Sequence, residues 1–295
     1  MGSDSAVLRV GMVNFVNTAP LMLPFRAQEL PPFLKAVEDV PTNLNRMLKD
    51  GQVDAGLVSS FFYGQNHDGL VLMDGFCISA TGTVGSVNLY SRVPIYELSG
   101  CTIALTSQSA TSINLLYIIL EHFNRLSPAY VTGSFDMVLE GRCQAYLAIG
   151  DEALKLNRSD HGLFSYDLAS IWYETTSLPF VFAVWAARRE SYRQKAPLFR
   201  QFEQILERCY RQGQKMLSDI AARVCGRIPM SSYECLSYLK GIEFDLSPEK
   251  RKGLRHFFML LKEMGRLEDL PRIPGPEGPE CDNKVLDIRT GSKVA

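Results

Sequence analysis

Residues 42–60, TNLNRMLKDGQVDAGLVSS, hold a short helix and a buried strand in immediate succession. Thr42 is a candidate helix cap, and leucines follow it at helical spacing. Gly51 is a natural end for this helix, because glycine tolerates the left-handed conformation found there. The apolar run after Gly51 predicts a strand that ends in the polar pair Ser59–Ser60.

The segment before this unit has the same character. Residues 7–13 predict a buried strand that ends at Asn14. A polar break at Asn17–Thr18 follows, and Pro20 suits the first turn of a helix. Strand, helix and strand therefore alternate, which predicts an α/β fold.

The same order of elements returns later in the chain. Residues 101–105 predict a strand, residues 107–112 a hydroxyl-rich break, and residues 113–123 an apolar helix. Residues 139–154 repeat the glycine stop, the strand and the polar strand end, here at Gly150–Asp151. Two lobes of similar construction are the simplest interpretation.

Two extended apolar runs, residues 84–90 and 180–185, border the second unit. If these two runs are the segments that connect the lobes, they define which residues belong to each lobe. The first lobe then consists of residues 7–88 and 186–269, and the second of residues 89–185. Helical faces at the 3.6-residue period fill the last third of the first lobe. Residues 270–295, rich in Pro and Gly, predict a flexible tail.

Composition excludes several classes of protein. With 31 Lys and Arg against 32 Asp and Glu, the net charge of −1 argues against nucleic acid as a partner. Apolar runs are too short to cross a bilayer, and the first residues do not read as a secretory signal, so we expect a cytoplasmic protein without a membrane partner. The 7 cysteines and 4 histidines lack metal-binding spacings, so we expect neither a metal nor an organic cofactor.

Polar residues gather where a ligand would bind. In open α/β sheets, ligands lie beyond the carboxyl ends of the strands. Helix amides and hydroxyls there can hold a small dianion without lysine, each helix terminus contributing roughly 0.3–1 kcal/mol. Helix capping is the alternative explanation for each position. The candidate ligand-binding residues are Asn17, Thr18, Ser59, Ser60, Ser109, Thr111, Ser112, Gly150 and Asp151.

Five segments, in this order and spacing, carry a resemblance to a known family. They are VNFVNTAPL (13–21), VDAGLVSSFFY (53–63), SATSINLL (109–116), AIGDEAL (148–154) and WYETTSLPFVFAVWAAR (172–188). Together they resemble the chorismate dehydratases of the futalosine route to menaquinone. That resemblance implies a type II periplasmic-binding-protein fold, in which two lobes, each a mixed sheet flanked by helices, enclose a ligand cleft.

The resemblance also implies a reaction. Chorismate, a small dianion, would lose water to give 3-[(1-carboxyvinyl)oxy]benzoate without a cofactor, and Asn17 and Ser86 would act as catalytic residues on the reacting part of the substrate. Neither is a strong base unaided, so a carboxylate of the substrate itself is our hypothetical proton acceptor. Many relatives carry Arg at the positions of Ala110 and Gly85. Helix amides, hydroxyls, or a cation such as Arg46 or Arg142 would then neutralise the substrate here.

Three alternatives remain at the level of sequence. A sibling enzyme of the same route makes 1,4-dihydroxy-6-naphthoate, but its first loop usually reads SPCPNDT rather than VNFVNTAP. A non-catalytic binding protein for a small carboxylate would use the same fold. The effector domain of a transcription regulator would need a helix-turn-helix segment before residue 7, and none is evident.

Overall fold

The computed structural model describes residues 7–274. Within that range eleven β-strands form: β1 (Leu8–Met12), β2 (Leu34–Glu38), β3 (Ala55–Ser59), β4 (Leu70–Ala80), β5 (Val87–Ser91), β6 (Thr102–Leu105), β7 (Ala129–Thr132), β8 (Ala145–Ile149), β9 (Phe164–Asp167), β10 (Phe180–Arg188) and β11 (Glu243–Asp245). The expected strands at residues 7–13, 53–60 and 101–105 are all present, each slightly shorter than predicted.

Twelve α-helices connect these strands in the described range: α1 (Ala19–Ala27), α2 (Pro41–Lys49), α3 (Ser60–Asn66), α4 (Ala110–Tyr117), α5 (Asp136–Leu139), α6 (Gly150–Leu156), α7 (Leu168–Thr176), α8 (Arg189–Gln194), α9 (Ala196–Lys215), α10 (Leu217–Val224), α11 (Ser232–Lys240) and α12 (Pro248–Glu263). A π-helix, Ile118–Phe123, continues α4, and short 3-10 turns cover Val16–Thr18, Ile95–Glu97 and Cys225–Arg227.

The strands form two mixed sheets with related topology. In the first sheet the order is β11-β4-β10-β3-β1-β2, with β1 parallel to β2 and β3, and β10 antiparallel to β3 and β4. In the second sheet the order is β7-β6-β8-β5-β9, with β6 parallel to β7 and β8, and β5 antiparallel to β8 and β9. In each sheet, an antiparallel strand therefore lies next to the parallel strands: β10 in the first sheet and β5 in the second.

The chain changes sheet at two points that differ from the expected borders. Strand β5, with Val87 and Asn88, belongs to the second sheet, whereas all of β10, from Phe180 onward, belongs to the first. The exchange therefore falls in residues 81–86 and 177–179 rather than after residues 88 and 185. The division of the chain into two domains itself stays a prediction.

An aromatic cluster joins the two lobes beside the second crossing. Trp172 on α7, Phe180 at the start of β10 and Phe257 on α12 are each at most 1% exposed. Ring centroids lie 5.2 Å apart for Trp172 and Phe180, and 5.1 Å apart for Phe180 and Phe257, both in edge-to-face geometry. Such pairs contribute about 0.5–1.5 kcal/mol beyond area burial, so the cluster stabilises the packing of α7, β10 and α12.

Close backbone approach positions the loop after β1. A Cβ on Gly213 of α9 would lie 1.7 Å from the carbonyl oxygen of Pro20 in α1. No other residue than glycine lets α9 lie this close to the first turn of α1. The start of α1, which carries the first polar strand end, is therefore held by direct contact with the longest helix of the described chain.

A buried ion pair anchors the amino end of the first sheet. Lys195 Nζ lies 2.9 Å from Asp54 Oδ1 and donates to the Val7 carbonyl at 2.8 Å, while the Arg9 N–H donates to Asp54 Oδ2 at 2.8 Å. Asp54 precedes β3, so it lies at the strand end opposite to Ser59. This network ties β1 and β3 to the start of α9.

Three expectations about segments need correction. Helix α2 begins at Pro41 with Val40 as its cap, so Thr42 lies inside the helix, where proline already fixes the first turn. Helix α4 begins at Ala110, which shortens the hydroxyl-rich break and places Thr111 and Ser112 in a helical turn.

The flexible tail expected from residue 270 is wrong for residues 270–274, where Ile273 is buried and the Arg272 carbonyl accepts a hydrogen bond from Tyr63. The rest of that tail, and the first six residues, lie outside the described range.

Among residues 7–274, no helix combines the length and the apolar composition that crossing a bilayer requires.

Candidate active site

The loop after β1 forms the first polar strand end. The Thr18 hydroxyl is buried and donates to the Val13 carbonyl at 2.8 Å, so it holds the loop together. The carboxamide oxygen of Asn17 is buried and has no hydrogen-bond partner among the described residues. Because an unpaired buried acceptor costs about 1–3 kcal/mol, Asn17 is the group in this loop with most to gain from a ligand hydroxyl.

The strand end at β3 uses its hydroxyl groups for local structure. Ser59 caps α3 and accepts a hydrogen bond from the Phe62 N–H at 3.3 Å. Ser60 is fully buried and donates to the Val181 carbonyl at 2.6 Å, which ties α3 to β10. For both serines the capping and packing alternative describes their present contacts, and ligand binding by them stays a prediction.

The start of α4 combines a cap with a contact between the two sheets. The Ser109 hydroxyl accepts from the Ser112 N–H at 3.1 Å and lies 3.0 Å from the Ser112 hydroxyl. The Thr111 hydroxyl accepts from the Phe61 N–H of α3 at 2.9 Å. Thr111 therefore connects the first turn of a helix on the second sheet to the first turn of a helix on the first sheet.

The fourth strand end, Gly150–Asp151, faces the loop after β1. Gly150 has a φ of +58° and donates its N–H to the Ser86 carbonyl at 2.7 Å. Asp151 Oδ1 accepts from the Val16 N–H at 3.4 Å, and Asp151 Oδ2 lies 3.5 Å from Arg227 Nη2. Gly150 and Asp151 thus have Ser86 on one side and the turn that carries Asn17 on the other.

Ser86 lies at the end of the first crossing and is 3% exposed. Burial raises the pKa of the Tyr238 phenol on α11 above its ordinary value, and the neighbouring Ser86 side chain acts in the opposite direction. The preceding Val84 and Gly85 donate their N–H groups to Asp167 Oδ2 at 3.0 and 2.5 Å. Asp167 also caps α7, so it fixes the backbone just before Ser86.

Burial dominates the electrostatics of Asp167. Its removal from water raises the pKa of the carboxyl group, while the hydrogen bonds from Gly85, Ser170 and Val84 act in the opposite direction. The Asp167 carboxyl is occupied by these donors and by its helix cap. It therefore serves the position of Ser86 rather than proton transfer.

Three residues of this site carry no sequence signal that identified them: Arg227, Tyr238 and Asp167. Arg227 and Tyr238 follow β10 in the chain by tens of residues and reach the site only through the long return of the chain to the first sheet. Asp167 resembles any other helix cap in sequence. Only the tertiary fold brings them to the expected strand ends.

The cations suggested by sequence lie elsewhere. Arg46 is exposed in the last turn of α2, which leads to the amino end of β3. Arg142 is exposed and pairs with Glu140 at 2.6 Å. Arg227 is instead the cation that contacts Asn14 and Asp151. The expectation for Arg46 and Arg142 is therefore wrong.

Comparison with known proteins identifies the family. The family model described as "Menaquinone biosynthesis" matches residues 8–263. A protein of Thermus thermophilus named chorismate dehydratase is 32% identical over 263 residues, which cover 84% of this chain and 93% of the relative. The chain belongs to this menaquinone biosynthesis family.

Solved structures agree on the architecture of this member of the menaquinone biosynthesis family. The aliphatic sulphonate binding protein SsuA of Escherichia coli superposes with a TM-score of 0.63 at 14% identity, covering 90% of this chain and 94% of that one. The alkanesulfonate-binding SsuA of Xanthomonas axonopodis pv. citri, bound to MOPS, gives 0.62 at 19% identity, with 90% and 96% covered. These likenesses confirm the two-lobed type II periplasmic-binding-protein fold that the family resemblance implied.

Proposed function

We propose that this chain is a hydro-lyase that dehydrates chorismate to 3-[(1-carboxyvinyl)oxy]benzoate in the futalosine route to menaquinone. The observation that carries the proposal is the match to a relative named chorismate dehydratase over 84% of this chain and 93% of the relative. The family match over residues 8–263 supports a role in menaquinone biosynthesis.

The chemistry suits a site without a strong base. The reaction breaks one ring C–H bond and one C–O bond, releases water and leaves an aromatic ring. Because aromatisation is favourable, the protein has to orient the substrate and assist the departing hydroxyl rather than drive an uphill step. In this proposal one carboxylate of the substrate takes the ring proton and passes it to the departing hydroxyl, which leaves as water, so the carboxylate ends unprotonated.

Asn17 and Ser86 have complementary parts in this scheme. The unpaired Asn17 carboxamide oxygen accepts a hydrogen bond from the substrate hydroxyl and orients it. The Ser86 hydroxyl, held next to Tyr238, donates to the same oxygen as negative charge develops on it. Both roles remain proposals, supported by the positions of the two residues on either side of Gly150–Asp151.

The test is to mix the purified protein with chorismate and to follow the ultraviolet spectrum. Loss of the cyclohexadiene absorbance with the appearance of a benzoate product is expected. Tight binding of chorismate without turnover would instead favour a non-catalytic binding protein for a small carboxylate.

The sibling activity, formation of 1,4-dihydroxy-6-naphthoate, is the second outcome of this experiment, because that enzyme would leave chorismate unchanged. The other expectations from sequence stay predictions: a cytoplasmic location, no nucleic acid or membrane partner, and no cofactor.

A further inference from the structure

The Asp151 carboxylate occupies an anion-binding position between the two sheets. Its Oδ1 accepts from the Val16 N–H at 3.4 Å, and its Oδ2 lies 3.5 Å from Arg227 Nη2. Val16 adjoins Asn17, whose carboxamide oxygen is buried and unpaired among the described residues. A negative oxygen is therefore already bound next to the residue expected to orient the substrate.

Arg227 and Asp151 differ in how strongly the surrounding residues fix their side chains. Arg227 donates to the Asn14 carbonyl at 2.9 Å and to Asn14 Oδ1 at 3.1 Å, so its guanidinium is fixed by the loop after β1. The contacts of Asp151 are at the long end of the hydrogen-bond range. Asp151 can leave without disturbing Arg227, since the anchors of the arginine lie on its own sheet.

Charge and solvent access favour exchange of the anion. The Arg227 and Asp151 side chains are 38% and 25% exposed, so their attraction is screened by water and is weak. A substrate with two carboxylates brings more negative charge to the same arginine and can also use the Val16 N–H. Within residues 7–274, Arg227 is the cation whose side chain contacts the polar strand ends, through Asn14 and Asp151. It is therefore the residue that can bind a substrate carboxylate there.

We propose that Arg227 binds one carboxylate of the substrate and that Asp151 is its internal competitor, which the substrate displaces from Arg227 and the Val16 N–H. The proposal rests on the proposed function for the identity of the substrate, but the anion site itself does not. It gives Asp151 a role opposite to that of a residue that binds substrate directly.

The opposite roles predict opposite effects. Arg227→Gln should raise the dissociation constant of the dicarboxylate product, 3-[(1-carboxyvinyl)oxy]benzoate, about 10- to 100-fold, the range expected for a lost hydrogen bond to a charged group. Asp151→Asn keeps an acceptor for the Val16 N–H but removes the competing charge. It should lower that constant by up to about fivefold, since exposed ion pairs are worth at most about that factor.

The experiment is isothermal titration of the full chain with this product, together with KM and kcat for chorismate. Arg211→Gln, which removes an exposed arginine paired with Glu207, is the matched control and should change neither constant. Circular dichroism and Tm show whether each variant is folded. In the double variant Arg227→Gln/Asp151→Asn, the gain from Asp151→Asn should disappear, because the site of competition is gone.

Each result decides between the proposals. An unchanged dissociation constant and KM for folded Arg227→Gln, or weaker binding by Asp151→Asn, overturns the inference while chorismate turnover by the wild type still supports the function. Arg227-dependent binding of the product without turnover of chorismate upholds the anion site and rejects the function. Absence of both binding and turnover in the wild type overturns both.

Discussion

Thr111 and Phe61 join the two sheets through a single hydrogen bond. The Phe61 N–H in the first turn of α3 donates to the Thr111 hydroxyl in the first turn of α4 at 2.9 Å, and both groups are buried. The bond connects α3 and α4, and each of these helices begins at a strand end where the sequence predicts ligand binding. It adds to the contacts between the lobes made by the aromatic cluster around Phe180 and by Asp151 with the Val16 N–H and Arg227.

Replacing this oxygen should favour opening. Thr111→Val keeps the shape of the side chain but leaves the buried Phe61 N–H unpaired, at a cost of about 1–3 kcal/mol in the arrangement that the structure shows. We expect KM for chorismate to rise by a factor of about 5–150 and the radius of gyration from small-angle X-ray scattering to increase. Thr111→Ser, which retains the hydroxyl, is the control. Unchanged KM and scattering in the valine variant would show that this bond does not hold the lobes together.

Asn17 should affect turnover more than binding. Asn17→Ala removes the carboxamide whose buried oxygen is unpaired. We expect kcat to fall by about 100-fold or more, as for loss of an oriented transition-state contact, with KM changed by less than about tenfold. Steady-state kinetics with chorismate measures both. A variant that kept the wild-type kcat would remove Asn17 from the mechanism.

The pair Lys195–Asp54 should be a determinant of stability. Lys195→Met leaves the Asp54 carboxylate buried without its cation, which typically costs about 3–5 kcal/mol. Urea unfolding followed by circular dichroism measures the free energy of unfolding. The double variant Lys195→Met/Asp54→Asn should recover part of the loss. If the single variant were as stable as the wild type, the pair would contribute nothing.

Burial of Cys77 predicts a dependence of stability on alkaline pH. Burial is the largest effect on this thiol and raises its pKa to about 12. An unfolded chain releases the thiol proton near pH 8.5, whereas the folded chain keeps it, so protons are lost on unfolding. The stability contributed by Cys77 is complete below about pH 8.5 and declines by up to about 1.4 kcal/mol per pH unit as pH rises toward 12.

Comparing urea unfolding at pH 7 and pH 10 in the wild type and in Cys77→Ala isolates this effect. The alanine variant should lose less stability between the two pH values, although it is less stable at pH 7 because of the missing side-chain volume. Cys101→Ala, at a half-buried cysteine, is the matched control. Equal losses in the wild type and in Cys77→Ala would contradict the prediction.

Local pattern was sufficient to predict the alternating strands and helices of both lobes and the polar residues at four strand ends. Periodicity reports which face of an element is buried, and the carboxyl ends of parallel strands meet by geometry. Ser59 and Ser109 show the limit of this reasoning, since both now cap helices. A capping serine and a ligand-binding serine have the same sequence signature.

Long-range contacts were beyond such reasoning. Arg227 reaches Asn14 across 213 positions of sequence, and nothing local to residues 225–227 distinguishes it from a surface arginine. The points at which the chain passes from one sheet to the other differ from the predicted residues for a related reason. The apolar runs at residues 84–90 and 180–185 are strands, but pattern does not tell which sheet a strand joins.

The placement of Ser86 links the timing of the chemistry to the movement of the protein. Its backbone is tied to the second sheet through Gly150 and the neighbouring Asp167 contacts, whereas Tyr238, which touches its side chain, lies on the helix leading into β11 of the first sheet. Any movement of one sheet relative to the other therefore changes the distance between Ser86 and Tyr238. For the proposed dehydration, this makes the position of the Ser86 hydroxyl depend on how the two sheets are placed.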